Sequence, residues 1–144
     1  MKARTLMALT VALLLAADDP QGDAITKERK SLQGTWKAVA VEREGKQVPP
    51  KDLKGLKWVI TADKIVWTDE RKNEFLYKLD TTKKPKAIDL IFPERKTEVT
   101  LAIYSLEGDD LMVCVKTKGE GRPSEFAAKA GSGQMLYTLK RKKP

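Results

Sequence analysis

The chemistry open to this chain is limited first by the absence of histidine. None of its 144 residues is histidine, which excludes Ser-His-Asp triads, histidine acids and bases, and nearly all zinc, copper and non-haem iron sites. The single cysteine, Cys114, can form no intramolecular disulfide, and its apolar strand predicts a buried thiol. Tyr104 with Arg122, or Ser124 with a lysine, could form an acid–base pair, but no spacing favours either. We predict no catalytic residue, metal or cofactor, and therefore no enzyme.

Two charged residues in a long irregular segment are the first candidates for ligand binding. Arg122 and Glu125 belong to the sequence RPSEF within residues 117–133, and such loops often carry binding residues. In one interpretation both side chains lie at the mouth of the domain and contact a polar or anionic ligand. In the other, which we favour, they form an ion pair that fixes the segment while Phe126 packs into the core.

Asp89 is a second candidate, because a carboxylate inside a protein can have a raised pKa and act as an acid or ligand. Its neighbours Ile88, Leu90 and Phe92 alternate with it along one strand. If the core takes those three apolar side chains, Asp89 points to solvent. We favour that orientation, with a lysine on a neighbouring strand as its partner.

Six aromatic side chains are numerous enough either to line a ligand pocket or to fill a small core. Short strands leave little spare volume once these rings are inside. We favour a filled core, with a small apolar cavity as the alternative. The six are Trp58, Trp67, Phe75, Tyr77, Phe92 and Tyr104.

The elements that must position these residues are about eight short strands. From residue 34 to residue 141, apolar and polar residues alternate in short runs separated by turns of mostly two to six residues. Connections this short require sequential antiparallel pairing, since parallel neighbours need longer crossovers. Such a meander hides its edges by closing, so the sequence predicts an all-β, up-and-down barrel.

The chain before the first strand resembles an export leader. Residues 1–4 include Lys2 and Arg4, and an apolar run of about 13 residues follows, which is too short for a membrane span. We predict a signal peptide over residues 1–17, with cleavage after residue 17 or 24, a linker over 18–30 and the barrel over 31–144. The mature protein would then be exported to the periplasm or secreted, without a transmembrane span.

The charge is moderately basic, with 28 lysines and arginines against 20 acids and a net charge of +8. Because acids are interleaved with the bases, a solubilising surface is the simplest interpretation. The excess also allows a weak preference for anionic surfaces or polysaccharides. We expect a monomer and no nucleic-acid partner.

The sequence LQGTWK at 32–37 places Gly34 and Trp36 at the start of the first strand. A Gly-x-Trp there, in an eight-strand meander, resembles the lipocalin signature. In lipocalins the tryptophan closes one end of the barrel and an arginine from beyond the last strand stacks on it. The resemblance gives that role to Arg141. Such a cation–π contact is structural and contributes about 0.5–2 kcal/mol.

A closer resemblance covers nearly the whole mature chain. LQGTWK, KPKAIDL at 84–90, IYSLEGD at 103–109 and RPSEF at 122–126 are similar, in that order, to an uncharacterised family of exported lipocalin-like domains abundant in planctomycete bacteria. The resemblance implies a lipocalin-like barrel and no established activity. We predict a binding module for a small hydrophobic or amphipathic ligand held by Arg122, Glu125, Tyr104, Trp58, Trp67 and Tyr77. The alternative is a protein- or polysaccharide-interaction or inhibitor module with a filled barrel.

Overall fold

A computed structural model describes residues 20–143 as one helix followed by nine strands. Alternating apolar residues form the strands, and glycines at positive φ, such as Gly45 and Gly108, form tight turns between them. In chain order the elements are α1 Pro20–Leu32, β1 Gly34–Arg43, β2 Lys46–Gln47, a 3-10 turn Pro50–Leu53, β3 Lys57–Ile60, β4 Lys64–Thr68, β5 Lys72–Asp80, β6 Lys86–Phe92, β7 Arg95–Glu107, β8 Asp110–Lys116 and β9 Gln134–Arg141.

The sheet closes on itself through its first and last long strands. Each of β3 to β8 pairs antiparallel with the next strand, β1 pairs with β3, and β1 also pairs with β9 from Trp36–Arg141 to Arg43–Met135. A register shift between Ala38 and Ala40 bends β1, as a bulge does at a barrel corner. The predicted eight-strand, up-and-down lipocalin-like barrel is therefore confirmed, with β2 as a short hairpin partner of β1.

The interior of the barrel is filled by apolar side chains that alternate with outward-facing polar ones. Ile88 and Leu90 are buried in the core on either side of the half-buried Asp89, so Asp89 faces outward as predicted. Among residues 20–143, the buried core cluster contains 21 residues. Its largest members include Trp36, Trp58, Tyr77, Tyr104 and Tyr137.

Helix α1 corrects the predicted linker from residue 20 onward. Pro20 begins the helix, Asp23 lies in its first turn, and Arg29 and Lys30 lie in its last, as the helix dipole favours. Its apolar contacts with the core are sparse, through Ile25 and Leu32, so its sequence shows only a weak helical period. The predicted leader and a cleavage after residue 17 lie outside the described residues, and a cleavage after residue 24 would fall inside the helix.

Candidate ligand site

The residues predicted to bind a ligand are distributed over three separate places. Arg122 and Glu125 lie in the long segment, residues 117–133. Tyr77 and Tyr104 contact helix α1. Trp58 and Trp67 contact each other in an aromatic cluster within the barrel. The structure therefore distributes the six over three places and does not assemble them into one site.

Arg122 fixes the long segment to the outer wall of the barrel. Its guanidinium donates to a carboxylate oxygen of Asp89 at 2.6 Å and to the carbonyl oxygens of Ile88 and Ala102 at 3.3 and 2.8 Å. The prediction that a lysine pairs with Asp89 is thus wrong. The partner is Arg122, which belongs to a segment whose path over the barrel the sequence does not reveal. With its donors engaged by β6 and β7, Arg122 serves to hold the segment in place.

Glu125 does not pair with Arg122 as predicted, because its carboxylate lies 3.3 Å from the ammonium group of Lys129. Both side chains of that pair are mostly exposed, so it contributes little stability. The segment crosses the outer face instead of lining a mouth: Ala128 is buried there together with Ala87, Ile103 and Cys114, which the registers of β6, β7 and β8 place side by side.

Cys114 belongs to this outer layer and is buried and free, as predicted. Burial raises the pKa of its thiol, and the thiol donates a hydrogen bond to the carbonyl oxygen of Ala127 at 3.3 Å. Phe126 is half-buried on the same outer side and is not a member of the barrel core. Residues 117–133 therefore act as a cover over the wall.

Helix α1 closes one end of the barrel through Glu28 and Arg29. The Glu28 carboxylate accepts hydrogen bonds from the Tyr104 hydroxyl at 3.1 Å and the Lys86 ammonium at 3.0 Å. Arg29 lies 4.5 Å from the centre of the Tyr77 ring. Burial, and then the Glu28 charge, raise the pKa of Tyr104. The Tyr104 hydroxyl is engaged by Glu28 of the helix, and the Tyr77 hydroxyl donates to the carbonyl of Thr61 at 2.7 Å, so neither hydroxyl is free for a ligand.

Gly34, Trp36 and Arg141 make the contact that the lipocalin resemblance implies. The Arg141 guanidinium lies 4.2 Å from the centre of the Trp36 ring and donates to the carbonyls of Ser31 and Gln33, each at 2.6 Å. Gly34 has a φ of +136°, which strains a residue that has a side chain, and a Cβ atom there would also lie 2.9 Å from that guanidinium, so the position favours glycine. The Trp36 indole donates to the Leu32 carbonyl at 2.8 Å.

An aromatic cluster lies in the barrel interior beyond these contacts. The centre of the Trp67 ring is 5.2 Å from that of Trp58 and 4.8 Å from that of Tyr137. Phe75 extends the cluster at 6.3 Å from Trp67 and contacts Phe92 at 4.8 Å. The sequence prediction missed Tyr137. The signal was available, because Tyr137 is two residues from both Met135 and Leu139 on one strand and therefore shares their inward face.

Two hydrogen-bond donors in this cluster have no acceptor. The Nε1 atoms of Trp58 and Trp67 are both buried, and neither reaches a hydrogen-bond acceptor within residues 20–143. A buried donor without an acceptor costs about 1–3 kcal/mol. Trp67 lies one residue from the end of β4 and Phe92 ends β6, and both are only partly buried. The cluster therefore reaches the end of the barrel away from the helix, which we call the aromatic end.

The surface of the barrel has open clefts, and the described residues provide no candidate metal site. Five clefts of about 330–510 Å³ lie on residues 20–143, and none of these five is lined by Trp58 or Trp67. Within the same residues, no group of three or more cysteines, aspartates and glutamates could hold a metal ion. Nor does this part of the chain contain a helix with the length and apolarity to cross a membrane.

Comparison of the chain with protein-family models, with curated proteins and with solved structures finds no match.

Proposed function

We propose that this protein is an exported, non-enzymatic binding module that takes a small amphipathic ligand at the aromatic end of its barrel. The observation that carries the proposal is the pair of buried Nε1 donors on Trp58 and Trp67. Their rings are in contact, and acceptor groups on a ligand would satisfy the two donors that residues 20–143 leave unpaired. Export rests on the leader-like residues 1–17 and on the resemblance to exported lipocalin-like domains.

The chemistry of the site specifies the ligand. An apolar tail would contact Phe75 and Phe92, while a carboxylate, carbonyl or hydroxyl oxygen would accept from the indoles. The core beneath is filled by buried side chains, so the site suits a ligand that enters beside the partly buried Trp67. A deep calyx of the kind used for large lipophiles is not what we propose.

The proposal is tested by the three indole N–H signals of the ¹⁵N-labelled protein, one for each tryptophan. The probe is dodecanoate below its micellar concentration, and dodecyltrimethylammonium is the control, because it has the same tail and no acceptor. We expect dodecanoate to move the signals of Trp58 and Trp67 and to leave that of Trp36, which already donates to Leu32. Equal shifts with both probes, or no shift with either, would reject the site.

Variants locate the bound probe. Trp67→Phe keeps an aromatic ring and removes one donor, so we expect dodecanoate to bind up to about tenfold more weakly, as loss of one hydrogen bond predicts. Arg122→Gln is the control, since Arg122 lies on the outer wall, and its affinity should equal that of the unmodified protein. If Arg122→Gln weakened dodecanoate binding and Trp67→Phe did not, the ligand would be placed at residues 117–133. Native mass spectrometry of protein from its own host then identifies the natural ligand by its added mass.

A second candidate function is an interaction module with a packed barrel. The filled core favours it, as does a group of lysines on the outer wall of β1, β3 and β9.

A further inference from the structure

Three lysines form a continuous row across three neighbouring strands, on the wall of the barrel. Lys37 of β1 stands directly opposite Lys57 of β3 and also directly opposite Lys140 of β9. All three are exposed, and each adjoins a buried residue of the core: Trp36, Trp58 and Leu139, respectively. Their side chains therefore leave the same face of the sheet. We call these three residues the lysine row.

This arrangement is electrostatically unfavourable by itself. Opposed residues of antiparallel strands have Cβ atoms about 4.5–5.5 Å apart, and like charges at that spacing destabilise a sheet. Lys140 has one acid beside it, Asp110 at 3.1 Å. Within residues 20–143 neither Lys37 nor Lys57 forms an ion pair, and the same is true of the exposed Lys142 nearby. The row thus concentrates three positive charges, of which the described residues pair only that of Lys140.

The row borders an open cleft of about 510 Å³. Its wall includes Lys37, Lys57, Lys140 and Lys142, together with Val39, which is 45% exposed. Arg141 also borders it, but the guanidinium of Arg141 is engaged by Trp36, Gln33, Ser31 and Asp109. The cleft is therefore a cationic groove with one exposed aliphatic side chain, and its four lysines offer contacts for several anionic groups.

The chemistry of the groove selects among polyanions. None of its nine lining residues is aromatic, so it offers no surface on which nucleic-acid bases could stack. Val39 is its one exposed large hydrophobic side chain, which is too little to anchor the groove in a lipid surface. A hydrophilic chain with repeated anionic groups matches both features, because it needs only charge and a small contact for the C–H face of a sugar ring.

We infer that the lysine row is a docking site for an acidic polysaccharide. Repeated sulfate or carboxylate groups would lie along Lys57, Lys37 and Lys140, with Lys142 at the side, and would relieve the repulsion between the lysines. Binding would release counterions and so weaken as salt rises. This site lies on the outer wall, so it does not rest on the aromatic end being occupied.

The test compares two triple variants of the purified protein that have the same net charge. The first, Lys37→Gln/Lys57→Gln/Lys140→Gln, removes the row. The matched control, Lys83→Gln/Lys96→Gln/Lys118→Gln, removes three lysines that are exposed elsewhere and form no ion pair within residues 20–143. Both are titrated with dextran sulfate over a salt series, with neutral dextran as the ligand control.

We expect the row variant to bind dextran sulfate about tenfold or more weakly than the unmodified protein, with a flatter dependence on salt. The affinity of the control variant for dextran sulfate should stay within about threefold of that of the unmodified protein, since the control changes only the long-range electrostatic field. Equal losses in the two variants would overturn the inference, because net charge alone would then explain binding. Absence of binding at physiological salt would also overturn it.

Two further ligands distinguish the polysaccharide from other polyanions. Single-stranded DNA and vesicles of mixed phosphatidylserine and phosphatidylcholine should bind more weakly than dextran sulfate, and their binding should respond alike to both variants. Tighter binding of either one through the row would assign the site to nucleic acid or membrane and refute the polysaccharide. Trp67→Phe should leave dextran sulfate affinity unchanged, so this test can fail independently of the proposed function.

Discussion

Replacing Trp36 and Trp58 one at a time by phenylalanine measures the cost of an indole donor that lacks an acceptor. Both side chains are fully buried, 0% and 1% exposed, and they stand opposite each other on β1 and β3. The two changes delete the same atoms, so the losses of buried area are similar. They differ in the hydrogen bond: Trp36 donates to the Leu32 carbonyl at 2.8 Å, whereas Trp58 donates to no described residue.

The expected difference follows from these two environments. Trp36→Phe loses a hydrogen bond worth about 0.5–1.5 kcal/mol, whereas Trp58→Phe removes an unpaired donor that costs about 1–3 kcal/mol. We therefore expect Trp36→Phe to lower the free energy of unfolding by about 2–4 kcal/mol more than Trp58→Phe. Part of the Arg141 contact would also be lost with Trp36.

Urea unfolding followed by far-ultraviolet circular dichroism measures this difference. With a urea dependence of about 2 kcal/mol per M, as is usual for a small protein, the midpoints of the two variants should differ by roughly 1–2 M. As a control, the free energy of unfolding should depend on urea concentration with the same slope in both variants, which shows that their unfolded states are comparable. Midpoints that coincide, or a lower midpoint for Trp58→Phe, would refute the reasoning and with it the hydrogen-bonding basis of the proposed site.

Three other predictions concern the ends and the wall of the barrel. Trp36→Ala should cost about 3–5 kcal/mol, and its double-mutant cycle with Arg141→Ala should give a coupling of about 0.5–2 kcal/mol; additive effects would mean that the two side chains do not interact. Burial raises the pKa of Tyr137, so the unfolded chain loses this proton first, and stability present below pH 10 falls as the pH rises above it. Tyr137→Phe should reduce that fall by up to about 1.4 kcal/mol per pH unit at about pH 11 and above, and an unchanged slope in alkaline urea titrations would contradict the shift. Lys37→Gln should raise the free energy of unfolding by about 0.2–1 kcal/mol at low salt by removing cross-strand repulsion, a gain that should vanish in 1 M salt; a loss of stability would contradict it.

The barrel is predictable from the sequence because its determinants are local. The alternation of Ile88, Leu90 and Phe92 with Asp89 is set by the pleat of a strand and needs no knowledge of distant residues. Short turns then leave each strand only its neighbour as a partner. Helix α1 was not predictable in the same way, because Ile25 and Leu32 are too few to give a strong helical period. Its position depends on contacts with residues far along the chain.

The placement of the candidate sites is hard to predict for the same reason. Arg122 reaches Asp89 across 33 residues, and a segment rich in glycine carries no pattern that tells which face it will cover. The lysine row is also invisible in the linear sequence, because Lys37, Lys57 and Lys140 become neighbours only through strand register. By contrast, the stacking of Arg141 on Trp36 was predictable through resemblance to lipocalins.

The closure of the barrel by β1 and β9 has a consequence for how the chain acquires its structure. Arg141 bonds to carbonyl groups 108 and 110 residues earlier in the chain, and β9 supplies one edge of β1. The pairing of β1 with β9 is therefore a long-range contact in a sheet whose other strands mostly pair with a sequence neighbour, and such a contact forms slowly, because the entropy of closing a long loop is lost before the contact is made. A nascent chain lacking β9 has β1 and β8 as unpaired edges and Trp36 without its cation. Pairing of β9 with β1 is therefore the step that completes the folding of the barrel.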